Sequence, residues 1–271
     1  MRIDTLVRRH PVLTYFGLAF AISWAGCALT AGPKFLRGEP LQAVDGLLVF
    51  LAMLLGPSLA GIAMTAFLDG KDGLRELRSR MMRGRVGAAW YMTPLVFPIL
   101  IVIVLAALGA FVSREFARTF AVLGIPIGLM AGFFEEIGWT GFALPRMLDT
   151  RSVLFVAVGL GLVHTIWHLA ADFLTASGSR AAYWLPHFAA FIVSMTAMRV
   201  IVVWAYVNTK SVLLAQLVHA SSTGFLAVLV PLALSPARDT LFYWVYSAVL
   251  WGAVAVVVAV FGKNLVRPRA G

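Results

Sequence analysis

The feature that most constrains this chain is a succession of apolar runs separated by short basic loops. Each run is close to the ~18–20 residues that cross a bilayer. Inside lipid a backbone must satisfy its own polar groups, so runs of this length fold as helices. Eight spans are expected, at about 11–31, 44–68, 89–112, 120–144, 152–174, 183–207, 211–234 and 240–262. Gly32-Pro33, Gly70 and Ser235-Pro236 mark boundaries. The chain is 61% apolar and only 13% charged, with a mean hydropathy of +0.90, which excludes a soluble globular domain. The expected fold is all-α: a polytopic transmembrane helical bundle forming one domain over 1–271.

The charge balance, 22 basic against 12 acidic residues, does not point to nucleic acid, because the basic residues sit in short loops and form no binding stripe. With the N-terminus inside, Arg2, Arg8, Arg9, Lys71, Arg75, Arg78, Arg80, Arg83, Arg85, Arg146, Arg151, Lys210, Lys263, Arg267 and Arg269 face the cytoplasm. Only Lys34, Arg37, Arg114, Arg118, Arg180 and Arg238 face out. The positive-inside rule then makes both termini cytoplasmic and the protein a multi-pass component of the cell membrane. Segment 71–85 mixes these charges with Leu74, Leu77, Met81 and Met82 and reads as a short amphipathic helix on anionic lipid. The first span, ending Ala25-Gly26-Cys27, has some character of a secretory or lipoprotein signal. Trp24 suits lipidation of Cys27 poorly, so a retained anchor is expected. A single cysteine excludes a disulfide framework.

An ionisable group deep in a bilayer costs at least ~2.5–3.5 kcal/mol, so those within spans are functional candidates. They are Glu135 and Glu136 in the fourth span, His164 and His168 in the fifth, Arg199 in the sixth and His219 in the seventh. Asp45, Asp172, His187 and Asp239 fall near span ends, where water can solvate them. Adjacent helical positions diverge by about 100°, so Glu135 and Glu136 address different neighbours. One can face a reaction site while the other takes a structural partner. His164 and His168, at i and i+4, share a face and suit either a metal or an acting-and-orienting pair. His219 is followed by Ser221, Ser222 and Thr223, whose hydroxyls suit helix packing or hydrogen-bond donation. No HExxH, GxSxG or Walker sequence is present.

Glu135-Glu136, with Gly138-Trp139, Gly141-Phe142 and Leu144-Pro145-Arg146 behind it, resembles the first motif of the CPBP intramembrane proteases. These are relatives of the type II CAAX prenyl endopeptidase and of bacteriocin-processing and immunity proteins. Trp167-His168-Leu169 resembles the second motif and the segment ending in His219 the third, so the resemblance covers about 119–225. It implies a glutamic-type endopeptidase in which Glu135 and His168 activate water, His219 stabilises the oxyanion and Glu136 supports them. This chain departs from the pattern at Thr140, where Arg is expected, at Thr223, where Asn is expected, and at His164, where an aromatic is usual. Thr223 is then the expected second oxyanion donor, and Thr140, His164 and Arg199 are supporting. With only a hydroxyl at Thr140, Glu136 is expected to draw on Arg199 or Trp139.

Other readings remain open at this level. The departures fit an impaired family member acting as a membrane binding or immunity factor. A proton-coupled transporter would use Glu135, Glu136 and His168 as a relay. A metal-free site is expected, although Glu135, His164, His168 and His219 form a set that zinc accepts. The expected partner is a protein or peptide substrate in the membrane, prenylated or not.

Overall fold

A computed structural model describes residues 3–148, 151–176 and 179–266. Of the basic residues counted above, Arg2, Arg267 and Arg269 and the side chain of Arg180 lie outside that description. The described residues form helices and no strand. In chain order these are α1 (Ile3–Arg9), α2 (Pro11–Thr30), α3 (Gly32–Leu36), α4 (Ala43–Met81), α5 (Val96–Phe111), α6 (Gly124–Gly138), α7 (Leu144–Met147), α8 (Val153–Thr175), α9 (Ser179–Thr209), α10 (Val212–Leu229) and α11 (Pro236–Phe261). A 3-10 segment, Ala88–Leu95, leads into α5.

Seven helical stretches among the described residues are long and apolar enough to cross a membrane, so the protein is a multi-pass membrane protein. The remaining expected span, 120–144, is composite. It opens at Gly124, passes from α6 through a π turn at Trp139–Ala143 and ends in α7 without a break. Ahead of it the chain is not helical, because Thr119 and Ala121 donate their N–H groups to the carbonyls of Leu229 and Val228 at the end of α10. The seventh span is correspondingly shorter than expected, stopping at Leu229 just before Pro231.

Two further expectations change in the structure. The basic segment 71–85 does not stand alone: it continues α4 as helix to Met81, after a break at Gly70 with φ 64° and ψ −150°. Only glycine adopts such a conformation without strain. Asp45, expected in water, is 5% exposed; it accepts from the backbone N–H of Gln42 at 2.7 Å and pairs with Lys34 at 2.7 Å at the start of α4.

The first span belongs to the bundle. Tyr15, Ala19, Ser23 and Cys27 recur every fourth residue, make one face of α2 and are all buried. That face meets α4, where Ser23 Oγ donates to Met53 O at 2.8 Å. α6 and α10 approach backbone to backbone along Gly124, Gly128 and Gly132. A Cβ on Gly128 would stand 2.4 Å from Ala220 O, and one on Gly132 2.3 Å from Gln216 O. Small residues of this kind let helices touch where lipid supplies no hydrophobic drive. One turn beyond Gly132, on the same face, comes Glu136.

Candidate functional site

Four helices deliver the ionisable side chains to one buried network. α6 supplies Glu135 and Glu136, α8 His164 and His168, α9 Arg199, and α10 His219. Glu136 and Arg199 are fully buried, and their ion pair runs from Nη1 to Oε2 at 2.8 Å. The same carboxylate accepts from Thr140 Oγ1 and, through Oε1, from His219 Nδ1 at 2.7 Å. Three donors on one carboxylate satisfy a charge that lipid alone would not tolerate.

Arg199 also fixes the neighbouring imidazole. Its Nη2 lies 2.7 Å from His164 Nδ1, and a guanidinium can only donate. Nδ1 therefore accepts, and the ring proton sits on Nε2, which donates to Glu135 Oε2 at 2.8 Å. In this tautomer neither ring nitrogen of His164 has a lone pair to spare. His219, held by Glu136 through Nδ1, turns Nε2 towards Glu135 Oε2 at 3.9 Å.

His168 occupies the open side of the cluster. It is half-buried, lies tilted against His164 at 5.4 Å and edge-on to Trp167 at 4.7 Å between ring centroids, and makes no hydrogen bond among the described residues. The direct bond to Glu135 thus comes from His164, one turn earlier than the histidine singled out from sequence. Glu135, His164 and His168 offer ligand atoms within 4.8 Å of one another. Thr223 is half-buried and makes no hydrogen bond among the described residues, so it stands apart from the network. Ser221 Oγ donates to Pro94 O at 2.6 Å, which is a packing contact between α10 and the 3-10 segment.

Sequence reasoning placed Glu135 and Glu136 on different neighbours, and they do differ: His164 holds one and Arg199 the other. It missed the aromatic wall behind them. Trp139 lies 5.0 Å from His164 and 5.7 Å from Trp167, and Tyr15 of α2 meets Trp139 edge-on at 5.6 Å. Tyr15 is fully buried, and its Oη has no hydrogen-bond partner among the described residues. Nothing in an apolar first span distinguishes that tyrosine from a lipid-facing one. His187 and Asp239, 3.4 Å apart, pair far along α9 and α11 from this cluster.

The π turn begins at Trp139, one helical turn after Glu135. Beside it, a Cβ on Gly138 would stand 2.2 Å from both Pro57 O and Tyr15 Oη, so α4 and α2 lie hard against the motif. π turns inside α-helices are common at functional sites.

Residues 95–225, just under half of the chain, match the family described as Type II CAAX prenyl endopeptidase Rce1-like. A protein of Methanococcus maripaludis named CAAX prenyl protease 2 is 28% identical over 96 residues, which are 34% of this chain and 35% of that protein. The chain thus matches about a third of the length of this curated relative.

Proposed function

We infer that this chain, whose residues 95–225 belong to the Type II CAAX prenyl endopeptidase Rce1-like family, is an intramembrane endopeptidase that hydrolyses peptide bonds with a glutamate-activated water. The observation that carries the reading is the division of labour within the carboxylate pair. Glu136 is held by three donors and acts as a fixed anion; Glu135 gives one oxygen to His164 and keeps the other for a water.

Glu135 takes a proton from that water as the oxygen attacks the scissile carbonyl carbon. His168, with no hydrogen bond among the described residues, orients the water from the open side. His219, with Nδ1–H engaged by Glu136, presents Nε2 beside Glu135 and, when protonated, donates to the developing oxyanion. Glu135 then passes its proton to the leaving nitrogen as the C–N bond breaks, giving a carboxylic acid and an amine, which exchange a proton to become carboxylate and ammonium. Arg199 supplies to Glu136 the cation that an Arg at position 140, one turn along, would otherwise bring.

The chemistry proposed is metal-free. A metal on His164 Nε2 would require the proton on Nδ1, where Arg199 already donates. Chelator treatment of the purified protein is therefore expected to leave cleavage unchanged, and loss of activity restored by zinc would overturn this part. The substrate class is a membrane-held protein or peptide, for which the name of the archaeal relative suggests a prenylated C-terminus.

The test compares new protein termini in membranes carrying the wild type or Glu135→Gln. Purified protein is then given a prenylated peptide and its unprenylated counterpart. Termini that depend on Glu135 support the reading, and identical termini in the two membranes refute it. Thr223, with no hydrogen bond among the described residues, favours the second reading of an impaired family member that binds without cutting.

A further inference from the structure

Residues 71–81 continue α4 beyond the break at Gly70, and their two faces do different things. Inward, Leu77 is 3% exposed and packs on the π turn, where a Cβ on Gly141 would stand 2.6 Å from Leu77 Cδ1. Arg80 donates from Nη2 to Gly141 O and from Nη1 to Tyr206 Oη, each at 3.0 Å. Just beyond, Ser211 Oγ donates to Arg83 O at 2.6 Å while accepting from Leu214 N to cap α10. One short segment thus grips the turn behind Glu135 and Glu136, the helix carrying Arg199, and the start of the helix carrying His219.

Outward, Lys71, Arg75 and Arg78 follow the i, i+4, i+7 spacing of one helical face and are all exposed, and Met82 continues that face at 68% exposure. Within 71–85 six basic residues stand against two acidic ones, Asp72 and Glu76. These two acids lie beside the stripe: Asp72 pairs with Arg75 at 2.7 Å, and Glu76 with the inward Arg80 at 3.5 Å. Arg8 adds a further cation over the Phe67 ring, just before the break.

We propose that this outward stripe docks on anionic lipid headgroups and that docking holds the inward clamp closed, so that the site works faster in an anionic membrane. Position and charge commit the surface to lipid. The stripe begins where a membrane-spanning helix ends, at the depth of the headgroups, where a plane of negative charge meets a row of cations and acyl chains receive Met82. A soluble anion would meet the charges but leave Met82 in water. The regulation rests on the endopeptidase reading; the docking does not.

Hydrogen exchange in lipid nanodiscs reads the docking without any substrate. Moving the protein from phosphatidylcholine to a phosphatidylcholine–phosphatidylglycerol mixture should slow exchange roughly tenfold in 71–82 and in the π turn 139–143. The variant Lys71→Gln, Arg75→Gln, Arg78→Gln should lose that difference while matching the wild type in neutral discs. Arg80→Gln should keep the lipid effect in 71–78 but lose it at 139–143, because the clamp is cut. Equal exchange of the wild type in both discs, or a difference that survives the triple substitution, overturns the proposal. Inorganic phosphate added to neutral discs should have no effect; full protection by it would make this a phosphate site and overturn the membrane reading. Cleavage should rise with anionic lipid in the wild type and not in the triple variant. If exchange responds as expected but neither disc supports cleavage, the docking stands and the endopeptidase reading falls.

Discussion

Replacing Arg199 by Ala removes the guanidinium that pairs with Glu136 and donates to His164. Glu136 is fully buried, so the carboxylate would be left with only Thr140 and His219. Breaking a buried ion pair from one side costs about 3–5 kcal/mol. The stranded Nδ1 of His164 adds a penalty of order 1–3 kcal/mol unless the ring changes tautomer and releases Glu135. Arg199→Ala should therefore lose at least about 3 kcal/mol in reversible unfolding from mixed micelles. The informative partner is Thr140→Arg. Position 140 is one turn from Glu136, and its side chain already touches that carboxylate. Alone, Thr140→Arg should destabilise by about 1–3 kcal/mol, because the site is fully buried and already holds a guanidinium. In the double variant the new Arg should enter the space vacated by Arg199 and recover about 2 kcal/mol of the loss. A coupling energy within ~0.5 kcal/mol of zero would show that the two positions are not alternative homes for one cation. A cost below ~1 kcal/mol for Arg199→Ala alone would refute the ion pair as a support of the fold.

Glu135→Gln should cut the cleavage rate by at least ~100-fold while leaving unfolding unchanged, since the amide oxygen still accepts from His164; retention of full turnover by the purified variant would remove Glu135 as the base. Thr223→Asn should raise turnover more than it changes KM, by some part of the ~2.7–4 kcal/mol that a well-placed oxyanion donor supplies. Thr223→Val should leave stability within ~0.5 kcal/mol, because no hydrogen bond is lost, and unchanged turnover in both variants would exclude Thr223 from the reaction. Gly138→Ala puts a methyl 2.2 Å from Pro57 O and Tyr15 Oη, and the backbone oxygen cannot swing away; a loss of about 1–3 kcal/mol is expected, and a neutral result would mean that α4 and α6 part easily.

Much of the fold was legible because lipid reduces the choice to helices whose length the sequence states. Helix starts and stops followed glycine and proline: the break at Gly70 and the starts at Gly32-Pro33 and Pro236 were all marked. The π turn was not. It adds one residue to a turn without changing composition, and the residues packed against it, Leu77, Pro57 and Tyr15, are all distant in sequence. For the same reason 71–85 was read as a separate surface helix. Its charges showed, but the insertion of Leu77 and Arg80 beneath the motif depends on a neighbour that only the folded bundle supplies.

The polar cluster was legible to a different degree for each residue, and depth explains part of the shortfall. With the observed helix ends, Glu135 lies about 18 Å from the basic end of its composite helix, His164 about 17 Å, Arg199 about 15 Å and His219 about 11 Å. His164, not His168, shares the level of Glu135 and makes the bond, which the motif comparison could not show because the family pattern has an aromatic there. Charge favours Arg199 over Trp139, the two partners the sequence left open for Glu136. Two adjacent carboxylates deep in a bilayer demand a permanent cation, and of 22 basic residues only Arg199 falls inside a predicted span. The hydroxyl at Thr140 had already singled out Glu136 as the carboxylate in need of a partner, Arg199 or Trp139, and in the structure it is Arg199. The choice of Glu136 comes from α6 presenting it, one turn after Gly132, on the side where α9 and α10 converge, while Glu135 turns to α8 and the half-open edge at His168. The carboxylate that receives the cation also takes Thr140 and His219, and the other is left with a neutral imidazole as its donor.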